Sequence, residues 1–379
     1  MKLRLKELEK YIPSDVMAIL RTLRAEGHRA YLVGGCVRDL ILAKSPLDWD
    51  IACSATPDQV QALYPDSLTL GKAYGTMGVY GESRSVGSRE DHLLGIEKSV
   101  RPVHQVTAFR QDGSYGDHRH PAAVLFGTSI EQDLARRDFT MNAIAYDPID
   151  RELIDLYQGI EDLKFEKIRC VGQARERLLE DTLRPFRAIR FVAQMGFALE
   201  AQTFAAITTL SRSMPLPAPE RIGSEFQKLM KGAHFVSAIE ALLQTGLWSR
   251  IFSTWSIDEA SAWFAEQREK ISQQTDLLRV AALLATRPDA GDMLRQLGYS
   301  KQDAAWVLRL IDNQLDEARA RLEVADIRLK ATDLIGLGLR GEAIGAMQRS
   351  LLQFIKENPS RNRKPTLLEE CKRLMSVVF

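Results

Sequence analysis

The chain has 379 residues, a length that predicts two to four structural units rather than one compact core. It is 45% hydrophobic and 27% charged, with a formal net charge of +1, which excludes a polycationic protein. Any nucleic-acid affinity must therefore come from locally clustered basic residues. No apolar run is long enough to cross a bilayer, the N-terminus does not resemble a secretory signal, and four scattered cysteines form no metal-binding spacing. These features predict a cytoplasmic location.

The first distinctive element is a strand, turn and helix at residues 31–42. Residues 31–33 form a short apolar run typical of a strand, Gly34 and Gly35 predict a turn, and residues 37–42 have an amphipathic helical pattern. The N–H groups of such a turn suit a phosphate group. The glycine spacing matches neither the dinucleotide-binding nor the P-loop pattern, so those two kinds of site are not supported.

Two aspartates follow in the sequence Asp48-Trp49-Asp50. On a strand, alternate side chains point to opposite faces, so both carboxylates would share one face while Trp49 enters the core. Mg²⁺ is usually held by one or two carboxylates together with substrate phosphates, and two such carboxylates repel each other without a cation. The pair, preceded by the glycine turn, predicts a Mg²⁺ site for nucleotidyl transfer. By itself, Asp-x-Asp would be typical of a solvated turn.

The remainder of the first 150 residues alternates predicted strands and helices, and the pattern from residue 161 onward is almost entirely helical. A polar insertion at 82–104 predicts a loop. A second loop, at 112–121, contains His118 and His120, for which a solvated loop is favoured over a metal site.

Five motifs give the chain a family resemblance. The motifs are residues 34–39, 48–50, 136–143, 180–184 and 220–225. In the presence and order of these motifs, over about the first 230 residues, the chain is similar to the class II tRNA nucleotidyltransferases, the family of CCA-adding enzymes and bacterial poly(A) polymerases. The resemblance implies an α/β head with a mixed-sheet nucleotidyltransferase core, followed by an all-α neck, body and tail. The implied boundaries are a catalytic head at 1–150, a neck with base-selecting residues at 151–215, a body at 216–310 and a basic, tRNA-binding tail at 311–379.

The resemblance also implies roles for individual residues. Gly35 and Arg38 would cradle the triphosphate, Arg137 would contact phosphate, and Asp138 would accept a hydrogen bond from the ribose 2′-hydroxyl. Arg187 and Arg190 are expected near phosphate or base. In relatives a glutamate often occupies the position matched here by Gln105, and a neutral amide cannot replace a carboxylate as a strong metal ligand. Gln105 is therefore left out of the predicted site.

Base selection is assigned to Asp181 and Arg184. Cytosine and adenine each offer an amino donor beside a ring-nitrogen acceptor, so an aspartate and an arginine can read both, whereas guanine and uracil present the reverse pattern. Residues 181, 184, 187 and 190 are spaced by three and would share one helix face, which is also the pattern of an exposed charge ladder. Pro185 would lie inside this helix and bend it.

The function implied is template-independent addition of C and A, from CTP and ATP, to the 3′ end of tRNA. Within the same class, an A-adding or CC-adding enzyme or a poly(A) polymerase is the alternative. A catalytically decayed RNA-binding protein is the alternative from another class. The expected partners are the tRNA 3′ end and the two nucleotides, with no membrane and no protein partner, and a tRNA contact through Arg84 and Arg89 is a further possibility.

Overall fold

The structure is a computed structural model that describes residues 8–85, 99–113, 124–127, 129–272, 276–312, 324–357 and 361–378. The chain forms two compact units. The first comprises Met1–Ala188 and Phe197–Leu216, and the second comprises Ile189–Gly196 and Pro217–Phe379. The positions predicted at Arg89, His118 and His120 lie outside the described residues.

The first unit is built on a mixed sheet of seven strands. The strands described in this unit are β1 Ala30–Val33, β2 Asp50–Cys53, β3 Leu68–Gly71, β4 Thr76–Tyr80, β5 Arg84–Ser85, β6 Ser99–Val100, β7 Val103–Ala108, β8 Arg110–Asp112, β9 Val124–Phe126, β10 Ala145–Asp147, β11 Glu152–Ile154, β12 Lys167–Ile168 and β13 Ala198–Leu199. The strand order of the seven-stranded sheet is β11-β10-β1-β2-β7-β4-β3, and β2 runs parallel to β7 while all other neighbours are antiparallel. The predicted α/β head with a mixed sheet is confirmed.

Helices cover the sheet and continue beyond it in the first unit. The third of them begins with Thr56 as its N-cap and Pro57 as its first residue, in a full capping box with Gln59. In the described part of the predicted neck, 151–215, the strands are β11 and the small parallel pair of β12 and β13. The helices up to residue 216 are α1 Ser14–Ala25, α2 Gly35–Ile41, α3 Pro57–Leu63, α4 Ile130–Ala135, α5 Gly159–Lys164, α6 Ala174–Glu180, α7 Arg184–Met195 and α8 Ala201–Leu210. Helix α7 belongs to the first unit up to Ala188 and to the second from Ile189.

From residue 217 onward the described part of the chain is helical. Its helices are α9 Pro219–Met230, α10 Phe235–Thr245, α11 Trp248–Ile251, α12 Ile257–Ser272, α13 Asp276–Leu284, α14 Ala290–Gln296, α15 Lys301–Asp312, α16 Ala331–Gly336, α17 Glu342–Glu357 and α18 Lys364–Val378. Among the described residues, none of these helices has both the length and the apolar character to cross a membrane.

The core of the head forms where β1 and β2 pack against α4. Tyr31 and Val33 on β1, Ala52 on β2 and Leu134 on α4 are all buried in one cluster. The ring of Tyr31 lies 6.0 Å from that of Phe109, measured between centroids. This packing fixes the end of β1, where the glycine turn begins, and the start of β2, where the aspartates lie.

Candidate active site

The glycine turn joins β1 to α2 and allows a close approach of other side chains. Gly34 has φ +75°, a conformation that glycine adopts without strain. A Cβ atom at this position would lie 2.9 Å from Arg137 Nη1 and 3.9 Å from Asp50 Oδ2. Both groups therefore face the turn directly, so the turn, an arginine and a carboxylate form one site. Gly35 follows, and the space above its backbone is bounded by the guanidinium of Arg38.

The two aspartates lie just before β2 and at its first residue, and they differ in solvent exposure. Asp50 is the first residue of the strand and is half-buried, Asp48 is exposed in the bend before it, and Trp49 between them is buried. Trp49 thus enters the core as predicted. Burial raises the pKa of Asp50, the positive charge of Arg137 lowers it, and the negative charge of Asp48 raises it.

A neutral side chain lies beside this acidic pair. Gln105 on β7 is the register partner of Asp50 on the parallel strand β2, and its side chain is exposed. On the other side of β7, Gln105 pairs with Gly78 of β4. Throughout the described part of the chain, no group of three or more acidic, histidine or cysteine side chains is arranged to hold a metal ion. The carboxylates available at this point of the sheet are therefore those of Asp48 and Asp50.

Arg137 is held in place by a buried carboxylate. Its Nε and Nη2 donate to Asp133 Oδ2 at 3.3 and 3.0 Å, and Asp133 is completely buried on α4. Its Nη1 reaches the carbonyl of Asn142 at 3.4 Å. This anchoring directs the positive charge toward Gly34 and Asp50, where the phosphate of a nucleotide was predicted.

Asp138 is a buried acceptor with several donors. Its Oδ2 accepts two hydrogen bonds from Arg187, at 2.9 and 2.5 Å, and its Oδ1 accepts from the backbone N–H of Phe139 at 2.8 Å. Burial alone would raise the pKa of Asp138, but Arg187 and these hydrogen bonds outweigh it and hold the pKa well below its usual range. Asp138 is consequently ionised at neutral pH and remains a strong acceptor.

Arg184 is buried at the start of α7, where it contacts three groups. Its Nη1 donates to Glu180 Oε2 and to the carbonyl of Arg177, each at 2.6 Å, and its Nη2 donates to the carbonyl of Arg136 at 3.0 Å. Three of the five N–H groups of a guanidinium are used in these bonds. The nearby Asp181 accepts a hydrogen bond from the N–H of Leu183 at 3.1 Å.

The prediction of one helix face running from 181 to 190 is wrong. Helix α6 ends at Glu180, Asp181 has extended backbone angles, and α7 begins at Arg184. Pro185 is therefore in the first turn of α7, where a backbone N–H has no helical partner in any case. It neither removes a helical hydrogen bond nor bends the helix, so the expected disturbance by Pro185 is also wrong.

The segment 136–138 connects the parts of the site. The carbonyl of Arg136 accepts the hydrogen bond from Arg184. Arg137 lies beside Asp50 at the glycine turn, and Asp138 is paired with Arg187. Groups separated by more than 130 positions in the sequence thus meet on three consecutive residues. Asp50 and the start of α7 therefore both lie against this segment.

Arg190 is placed differently from the other predicted residues. Its Nε donates to Glu225 Oε2 at 2.5 Å and its Nη1 to Gln194 Oε1 at 2.6 Å, and its guanidinium lies over the ring of Phe191. Both Arg190 and Glu225 belong to the second unit. Glu225 thus holds Arg190 within the second unit, and a nucleotide contact by Arg190 stays a prediction.

Basic residues of the predicted tail are largely paired with acidic ones. Lys364 Nζ lies 2.6 Å from Asp333 Oδ1, and Arg373 Nη2 lies 2.6 Å from Glu370 Oε1. Arg361 pairs with Glu357 at 3.3 Å. These pairs offset much of the local positive charge of the tail.

Sequence reasoning missed three residues of the site. Asp133 anchors Arg137, Glu180 anchors Arg184, and Asn142 accepts a hydrogen bond of 2.9 Å from Arg38. Asn142 lies inside the motif 136–143, and that position was the available signal. Glu180 likewise lies inside the motif 180–184. Asp133 has no comparable signal, because acidic residues one helical turn from an arginine are common on exposed helices.

Comparison with known families agrees with this geometry. Residues 30–169 match the family model described as "Poly A polymerase head domain", and residues 196–257 match "Probable RNA and SrmB- binding site of polymerase A". Together the two models span more than half of the chain.

Individual relatives point the same way. A CCA-adding enzyme of Bacillus cereus is 41% identical over 234 residues, which is 62% of this chain and 54% of the relative. The chain therefore spans about half the length of the curated relatives it matches.

Solved structures resemble the chain along nearly its whole length. The Bacillus stearothermophilus CCA-adding enzyme in complex with CTP is similar with a TM-score of 0.51 and 25% identity, over 96% of this chain and 98% of the other. The Thermotoga maritima CCA-adding enzyme complexed with tRNA has a TM-score of 0.55 at 18% identity, over 93% and 85%, and supports the fold. With its mixed-sheet head, its acidic pair and its glycine turn, the chain contains the head domain and the RNA-binding region of the poly(A) polymerase family.

Proposed function

We propose that this protein adds C and A, from CTP and ATP, to the 3′ end of tRNA without a nucleic-acid template. The 3′-hydroxyl of the RNA attacks the α-phosphate of the bound nucleotide, and pyrophosphate leaves. The names of the similar proteins support this reaction, and so does the presence of CTP and of tRNA in two of the similar structures.

The observation that carries the proposal is the meeting of two groups of residues on the segment 136–138. A nucleoside triphosphate has its reactive phosphate at one end and its base at the other. Asp50 lies at one side of the segment, and Arg184 donates to its first carbonyl. One bound nucleotide can therefore contact the acidic pair with its phosphates and the start of α7 with its base.

The acidic pair fits a divalent cation, and we assign Mg²⁺ to it. Asp48 and Asp50 supply the oxygen ligands that this ion prefers, and substrate phosphates and water complete its usual shell. The repulsion from Asp48, which helps raise the pKa of Asp50, is the interaction that such an ion relieves. When bound, the ion neutralises charge on the α-phosphate and on the leaving pyrophosphate. Arg38 and Arg137 add fixed positive charge for the triphosphate.

Asp138 and the start of α7 supply the remaining specificity. Asp138 is ionised and lies next to the phosphate-binding arginine, so it accepts from the ribose 2′-hydroxyl and favours ribonucleotides. Asp181 accepts from the exocyclic amino group of cytosine or adenine, and Arg184 donates one of its two remaining N–H groups to the ring nitrogen. Arg187 keeps Asp138 oriented.

The body of the tRNA is assigned to the tail, through phosphate contacts that do not depend on sequence. The proposed substrates, tRNA and nucleoside triphosphates, are both available in the cytoplasm, and we assign the protein to that compartment.

The reaction is tested with three tRNA substrates, which end before CCA, after the first C and after CC. Each is incubated with CTP alone or ATP alone, and the product length is read on a sequencing gel. Addition of two C and then of one A to the appropriate ends is the expected result. Addition of A only to the third substrate would indicate an A-adding enzyme, addition of C only would indicate a CC-adding enzyme, and long A tails would indicate a poly(A) polymerase.

The variant Asp50→Asn tests the metal assignment. The amide has the same shape as the carboxylate but lacks its charge, so we expect incorporation to fall by at least about a thousandfold while tRNA binding is unchanged. Asp58→Asn, at an exposed position on α3, is the matched control and keeps wild-type activity. Turnover of Asp50→Asn near that of the wild type contradicts the metal assignment. A wild-type protein that binds tRNA but incorporates nothing would be a decayed RNA-binding protein.

A further inference from the structure

Asn142 is a buried residue in the short helical turn Thr140–Asn142. Its two side-chain polar atoms and its backbone carbonyl each form a hydrogen bond with a residue of the candidate site. Its side-chain Oδ1 accepts from Arg38 Nη1 at 2.9 Å, and its Nδ2 donates to Asp138 Oδ1 at 3.3 Å. Its backbone carbonyl accepts from Arg137 Nη1 at 3.4 Å. It is 7% exposed, so water does not compete for these bonds.

The charges around Asn142 fix the orientation of its amide. The oxygen faces the guanidinium of Arg38, which only donates, and the nitrogen faces the ionised carboxylate of Asp138, which only accepts. Rotating the amide by half a turn would place its NH₂ group against the guanidinium of Arg38, which is also a donor. It would place its oxygen against the carboxylate of Asp138, which is also an acceptor. The amide therefore has a single favourable arrangement, and it locks both neighbours at once.

These neighbours serve different parts of the nucleotide in the proposed function. Arg38 follows the glycine turn on α2 and is also bonded to Asp39 at 2.9 Å. Asp138 is bonded to Arg187 on α7. The chain of contacts Arg187–Asp138–Asn142–Arg38 thus runs without a break from the beginning of α7 to the glycine turn.

We propose that Asn142 is a positioning residue that holds the triphosphate-binding and ribose-binding groups in one fixed relation. This inference rests on the proposed function. An isolated arginine on a surface helix samples many rotamers, whereas Arg38 held between Asp39 and Asn142 is ordered before the nucleotide arrives. Loss of the amide consequently weakens nucleotide binding without removing any group that takes part in the bond-forming step.

The test measures KM and kcat for CTP and ATP in the wild type, Asn142→Ala and Asn142→Asp. Alanine removes both side-chain contacts. Aspartate has the same shape, keeps an acceptor for Arg38, and replaces the donor to Asp138 by a like charge. We expect KM for both nucleotides to rise about tenfold or more in each variant, while kcat changes less than about threefold.

A matched control separates positioning from stability. Thr140 lies in the same turn, is buried, and donates at 2.5 Å to Asp162, which is not among the residues that Asn142 contacts in the site. Thr140→Val therefore removes a buried hydrogen bond of the turn and is expected to lower Tm with KM unchanged. A role for Asn142 that is only structural would give the same result as this control.

The inference is overturned if KM for CTP stays within twofold of the wild type in Asn142→Ala, or if kcat falls while KM is unchanged. Should the alanine variant fail to fold, the isosteric Asn142→Asp decides by the same criterion. Failure of the proposed function is recognised separately, because the wild type itself would then incorporate neither nucleotide.

Discussion

Asp138 shows how a buried charge is retained in the head. Isolated carboxylates in a protein interior lose their charge, but here Arg187 and the backbone N–H of Phe139 compensate the loss of solvent. The pKa of Asp138 in the folded protein is consequently lower than the value of about 3.9 for an aspartate in an unfolded chain. Folding therefore favours the ionised form.

This shift predicts a pH-dependent stability difference between the wild type and Asp138→Asn. A carboxylate with a lowered pKa contributes its full stabilisation at pH values above the unfolded pKa of about 4. The contribution declines below that value and is lost only as the pH falls through the lowered pKa of the folded protein. We expect Asp138→Asn to lower the free energy of unfolding by about 1.5–3 kcal/mol at pH 7 and by roughly 1 kcal/mol less at pH 3. Urea unfolding at both pH values measures this. An equal difference at the two pH values contradicts the assignment.

Single residues of the site differ in how far the sequence predicts them. The strand, turn and helix around Gly34 and the burial of Trp49 were predicted, because the residues that specify them are close in sequence. The strand assignment holds for Asp50 only, since Asp48 lies in the bend before β2. The partner of Asp138 was not predictable, because Arg187 lies 49 positions away and looked like one of several equivalent arginines. Such a pairing depends on how the chain folds back, which no local pattern records.

At the scale of elements, the start of α7 is the instructive case. A spacing of three residues is compatible with one helix, and it does not reveal that Asp181 to Leu183 form a break. Pro185 was the contrary signal, because proline is favoured in the first turn of a helix and disfavoured in its interior. The break leaves Asp181 just outside the helix that carries Arg184 and Arg187.

Two glycines in helices of the second unit are expected to respond in opposite ways to replacement by alanine. A Cβ atom on Gly223 of α9 would lie 2.2 Å from the carbonyl oxygen of Leu297, so the backbone of one element must move. The same atom on Gly345 of α17 meets only the flexible end of Arg349, at 3.6 Å.

We therefore expect Gly223→Ala to destabilise the protein by about 1–3 kcal/mol and Gly345→Ala to stabilise it by about 0.5–1 kcal/mol. Thermal unfolding of the two variants beside the wild type provides the measurement. A Tm for Gly223→Ala that is equal to or above that of the wild type is incompatible with the packing of α9 described above.

At the scale of the whole molecule, the order of the strands joins distant parts of the sequence. Most strands of the head follow from their apolar patterns, but β2 pairs with β7 across more than fifty residues, and this pairing puts Gln105 beside Asp50. Periodicity predicts that a strand exists and leaves its neighbours open. The mixed sheet was therefore predicted from the family resemblance and not from the local sequence pattern, although the motifs that carry the resemblance are visible in the sequence.

The central claim is that one nucleotide contacts the acidic pair and the base-selecting pair together. A variant that lacks one base-selecting side chain is then expected to lose discrimination between nucleotides while it still catalyses incorporation. The variant Asp181→Ala keeps Asp48, Asp50 and the glycine turn but lacks the acceptor for the exocyclic amino group of cytosine.

The most direct test compares kcat/KM for CTP with that for UTP, on tRNA ending before CCA, in the wild type and Asp181→Ala. Loss of one such hydrogen bond is worth about 1–3 kcal/mol, so the preference for CTP is expected to fall by about tenfold to a hundredfold while measurable incorporation continues. An Asp181→Ala variant that discriminates against UTP as strongly as the wild type would contradict the account.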